Sequence, residues 1–121
     1  MTILPMSPHR QLELAREYVQ TASREGRQAL DAQWRQRYGD DQAYELFMLS
    51  NALIAFPEDG AQFRAQWSAP HIKDSSIREI AAHLTDEQAE RISAALRDNL
   101  MNHPSELPHT WALAREMAGV A

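Results

Sequence analysis

The chain of 121 residues contains no cysteine. Disulfides, thiolate zinc sites, iron–sulfur clusters and cysteine nucleophiles are therefore excluded. Only four glycines occur, which leaves little room for phosphate-cradling loops or tight hairpins. Lysine is nearly missing as well: Lys73 is the only one, and every other basic side chain is Arg. That bias fits a GC-rich coding sequence first, and bidentate pairing with carboxylates second. No apolar run approaches the roughly 20 residues that a membrane-spanning helix needs. The opening MTILPMSPHR has no basic region followed by an apolar core, so it does not read as a signal peptide, and the cytoplasm is the expected compartment. Neither a Gly-x-Ser-x-Gly elbow nor a His-Glu-x-x-His pair is present. No catalytic residue, cofactor or metal is expected, and an enzyme is not the favoured reading.

What is present is ordinary for a globular domain: 44% apolar and 24% charged residues, with a net charge of −5. The charge is uneven. Residues 1–39 hold Arg10, Arg16, Arg24, Arg27, Arg35 and Arg37 against four carboxylates, a balance of +2, and the remainder carries −7. Residues 42–56, QAYELFMLSNALIAF, form the most apolar stretch. Glu45, Ser50 and Asn51 fall on different sides of a helical wheel, so no polar face is defined, and such a helix is expected to be buried all round. The expectation is an all-α bundle of five to seven helices around this central helix, forming one domain over 1–121, with 1–6 as a flexible arm.

Local signals place the helices. Ser7-Pro8 starts the first, with Leu12, Ala15, Val19 and Ala22 as its apolar stripe. Leu30, Trp34 and Tyr38 continue the helical spacing to a stop at Gly39, and the 8–38 stretch is either one helix or two joined near Gly26. Asp40 and Asp41 suit the start of the apolar helix, and Pro57 ends it. Phe63 and Trp67 mark a short helix near 58–68, followed by a loop over 68–74. Capping boxes at Ser76–Glu79 and Thr85–Gln88 open two more helices, the second reaching about Met101 with Ala89, Ile92, Leu96 and Leu100 inside. Ser105 is expected to cap a last helix along Leu107, Trp111, Ala114 and Ala118.

Four features bear on function. Ile77–Leu84 and the helix after it have the layout of a helix-turn-helix, but the second helix opens with Asp86, Glu87 and Glu90, which would repel phosphates. Arg24, Arg27 and Arg35 share a stripe diluted by Asp31. With Trp34 and Tyr38 they mix the residue types that dominate protein–protein hot spots. His103, Glu106 and His109 invite a metal reading, yet two histidines six residues apart point about 240° apart on a helix. Finally, the aromatic and Met content is high for a small bundle, and Asn51 could fix the register of a dimer through helix 42–56 or be a satisfied core residue.

The leading expectation is a small acidic adaptor, inhibitor or regulator that binds another protein. Its contact surface would be Arg24, Arg27, Trp34, Arg35 and Tyr38, or alternatively the acidic ridge Asp86, Glu87, Glu90 and Asp98. The runner-up is a helix-turn-helix-like DNA-binding regulator, dimeric in one version. A third reading is an acidic protein that fills the groove of a nucleic-acid-binding partner.

Overall fold

The computed structural model describes residues 6–120, all of whose regular structure is helical. In chain order the helices are α1 (Pro8–Gln20), α2 (Arg24–Tyr38), α3 (Asp40–Ala55), α4 (Gly60–Trp67), α5 (Ser75–His83), α6 (Asp86–Asn102) and α7 (Leu107–Ala118), with a 3₁₀ turn at Pro104–Glu106 before α7. The all-α expectation of five to seven helices is met. No helix among the described residues is long and apolar enough to cross a membrane. Most of the arm expected at 1–6 lies outside the described residues.

The caps follow from side-chain chemistry. Ser7 accepts the Arg10 N–H and Pro8 occupies the first helical position, as the sequence implies. The break in the 8–38 stretch lies at Thr21–Ser23 rather than at Gly26. Ser23 caps α2 by accepting the Gly26 N–H, so Gly26 belongs to the first turn of the new helix. Gly39 ends α2 with a positive φ of 84°, a region that favours glycine, and Asp40 and Asp41 sit in the first turn of α3. The Thr85–Gln88 capping box forms with both reciprocal bonds. The box at Ser76 does not. Asp74, two residues earlier, accepts from both Ser76 N–H and Ile77 N–H and starts α5 at Ser75. Ser105 caps nothing, because the 3₁₀ turn runs into α7 without a side-chain cap.

Contacts divide the chain into two units, Met1–Ile54 and Ala55–Ala121. The first has its core in Leu14, Tyr18, Trp34, Ala43 and Leu46, with Leu30 and Tyr38 packed against it. Tyr18 and Trp34 are tilted rings 5.6 Å apart. The α1 stripe is therefore turned relative to the sequence reading: Leu14, Ala15 and Tyr18 are buried, Leu12 and Val19 are half-buried, and Ala22 is exposed.

The second unit is built on Phe56, Phe63, Ile80, Leu84, Ile92, Leu96 and small residues from α6 and α7. Trp67 stacks on Phe56 at 5.4 Å and donates its indole N–H to the Ala55 carbonyl at 2.7 Å. The buried side chains Ser93 and Asn99 both find partners: Ser93 donates to the Pro57 carbonyl and Asn99 to the Thr110 hydroxyl. At the start of α4, Gly60 lies so close to α6 that an added Cβ would stand 2.1 Å from the Asp86 carbonyl oxygen.

Candidate binding surface

The Arg/Trp/Tyr face does not form as one surface. Trp34 is 2% exposed and belongs to the core, because its ring fills the space beside Tyr18. Arg27 turns back toward α1. It donates to the Thr21 carbonyl at 2.8 Å and the Val19 carbonyl at 3.3 Å, while its guanidinium sits 5.3 Å above the centre of the Tyr18 ring. Those carbonyls belong to the end of α1 and the joint after it, so Arg27 caps the α1 C-terminus and fastens it to α2. Tyr38 is half-buried, and its hydroxyl, followed by Glu13, holds the Arg10 guanidinium above its usual pKa. Arg35 is exposed but pairs with Asp31 one turn earlier at 3.1 Å. Arg24 is exposed.

The acidic ridge is similarly divided. Asp86 pairs with Arg64 of α4 at 2.5 Å, Glu87 reaches Arg91 at 4.0 Å, and Asp98 accepts from Asn102 at 3.0 Å. Glu90 is exposed. On the helix these four positions spread over about 120°, too wide for one line of charge.

The surface that does emerge is on α3. Buried positions Ala43, Leu46, Ser50 and Leu53 follow one seam. The seam one residue ahead, Tyr44, Phe47, Asn51 and Ile54, faces solvent: Tyr44 is 64% exposed, Phe47 37% and Ile54 36%. The expectation that this helix is buried all round is thus overturned. Asn51 is exposed, so it is not a core residue. Ser50 is the buried polar residue, and it returns its hydroxyl proton to the Leu46 carbonyl at 2.7 Å. Phe47 is anchored rather than loose, with the Tyr18 ring edge-on at 6.4 Å and 88°. A groove of about 510 Å³ runs beside Tyr44 and Phe47 and is walled by Asp31, Arg35, Asp40 and Asp41.

The sequence reading passes over Tyr44 and Phe47 because their helix is apolar on all sides. The available signal is their spacing with Asn51 and Ile54 at i, i+3, i+7 and i+10, the a/d pattern of a helix seam. The buried seam has the same spacing, and the pattern alone does not say which of the two faces inward.

The His103, Glu106 and His109 side chains do not form a metal site, and the other histidines are no closer to one. His83 Nδ1 lies 2.8 Å from the Glu79 carbonyl, a helix-end contact. His71, His103, Glu106 and His109 are exposed. Ser76 accepts from Arg115 at 2.8 Å. Among the described residues no group of three or more His, Asp or Glu side chains converges as metal ligands would. Comparison with known proteins found no matching family, no similar characterised protein and no similar solved structure.

Proposed function

We propose that this chain is a non-enzymatic protein-binding module, an adaptor or inhibitor, and that it uses the outer seam of α3 as its contact surface. The observation that carries this reading is the exposure of Tyr44 beside Phe47 on a regular helix. Large aromatic side chains on a rigid element supply contact area at low entropic cost, and they are enriched at hot spots. Phe47 is pre-positioned by Tyr18, so little ordering would remain to be done on binding. A helix in a partner, laid along α3, would meet the four seam positions over about 15 Å.

The test is affinity capture from native lysate, with and without nuclease, comparing the wild-type chain with Tyr44→Ser. A stoichiometric protein that survives nuclease and is lost from Tyr44→Ser supports the reading. A partner held equally by both chains removes α3 from consideration.

The helix-turn-helix-like regulator stands second, favoured by the succession of α5 and α6 with Ile80, Ala81 and Leu84 buried at the expected positions. Against it, α4 packs on the backbone at the opening of α6, and Asp86, Glu87 and Glu90 are exposed there. That reading requires duplex binding that weakens steeply with salt.

A further inference from the structure

We infer that the partner of the α3 seam presents a basic amphipathic helix, with apolar positions on Tyr44 and Phe47 and Arg or Lys side chains over Asp40 and Asp41. This inference rests on the protein-binding reading above and adds the chemistry of the partner. The groove beside the aromatic pair holds three carboxylates, Asp31, Asp40 and Asp41, and one guanidinium, Arg35. Arg35 is already held by Asp31. Asp40 and Asp41 are exposed and make no ion pair among the described residues. The surface is therefore aromatic at Tyr44 and Phe47 and negative beside them, where α3 begins. A partner of complementary charge brings cations to that end, and a guanidinium or ammonium there also comes within reach of the exposed Tyr44 face.

A second copy of the chain fits less well. Parallel pairing of two α3 seams would bring Asp40, Asp41 and Glu45 of the two copies together. Antiparallel pairing would set those carboxylates against residues 51–55, which carry no charge. Neither arrangement of the two seams supplies a cation of its own to Asp40 and Asp41.

The experiment measures binding of two fluorescent helical peptides to the full-length chain by anisotropy. Both carry Leu at i, i+3, i+7 and i+10; one has Lys and the other Glu at the remaining positions. The Lys peptide should bind at least about 10-fold more tightly than the Glu peptide. Its affinity should fall several-fold in Asp40→Asn/Asp41→Asn and about 10-fold or more in Tyr44→Ser. Because the double Asn substitution also removes favourable charge from the start of α3, a salt titration on the wild-type chain supplies the second measurement. Raising salt should weaken the Lys peptide selectively. Equal affinity for both peptides, with each lost in Tyr44→Ser, would overturn the basic-partner inference while leaving α3 a protein-binding seam. Lys-peptide binding unchanged in Tyr44→Ser would be adsorption to charge, and would overturn both. A dimer in sedimentation equilibrium that dissociates in Tyr44→Ser, with no binding of either peptide, would replace the basic helix with a second copy.

Discussion

Arg27 shows how a residue chosen for its charge can act through its geometry. Its side chain bridges two carbonyls and covers an aromatic ring, three interactions that a lysine ammonium on a flexible stem cannot reproduce together. Arg27→Ala should cost about 2 kcal/mol of stability, and Arg27→Lys should recover less than half of that. Urea denaturation followed by circular dichroism checks both, and an unchanged midpoint in Arg27→Ala would show that the bridge contributes nothing net. Gly60 makes the opposite kind of demand, for the absence of a side chain. With the Asp86 carbonyl oxygen only 2.1 Å from where a Cβ would stand, Gly60→Ala must push α4 away from α6. A loss of about 1–3 kcal/mol is expected, the range for overfilling a packed site. The obstacle is backbone, so it cannot rotate away as a side-chain end would.

Among the elements, those whose ends are set by nearby residues were legible in the sequence. Ser7-Pro8, Gly39, Asp40-Asp41 and the Thr85–Gln88 box act within one turn, and each appears where its chemistry places it. The Ser76 box failed because the helix is capped two residues earlier. Asp74 accepts from both Ser76 N–H and Ile77 N–H, so Ser76 lies inside the first turn of α5, and its hydroxyl accepts from Arg115 instead. Which face of a helix points inward was harder to read. Trp34 looks like a hot-spot residue in composition, but Trp serves cores and interfaces equally, and only the position of Tyr18 decides between them. On α3 two seams of identical spacing compete, and selection between them depends on neighbours distant in sequence. The α6 cap offers a test at this scale. Thr85→Ala should cost about 1 kcal/mol and speed hydrogen exchange at Gln88, whose N–H the Thr85 hydroxyl accepts. Exchange at Gln88 that matches the wild-type rate would mean that the cap does not protect it.

At the scale of the whole molecule, the two buried clusters share no residue, and they differ in size. Among the described residues, the packed cluster of the second unit joins eight buried side chains and that of the first unit joins five. Burial of apolar area dominates stability, so the first unit should open at lower free energy than the second. Hydrogen exchange read by mass spectrometry at increasing urea should then resolve two isotherms, with α2 amides exchanging through a cheaper opening than α6 amides. A single shared opening free energy would show instead that the chain unfolds as one cooperative body. The distinction bears on function, because the α3 seam belongs to the smaller unit. A ligand that binds only the folded seam stabilises it by about 2.7 kcal/mol at a concentration of 100 times Kd. If the units open separately, the Lys-rich helical peptide should slow exchange in α1, α2 and α3 by up to about 100-fold and leave α6 unchanged. Equal protection of α6 would couple the seam to the second core and make binding a property of the entire chain.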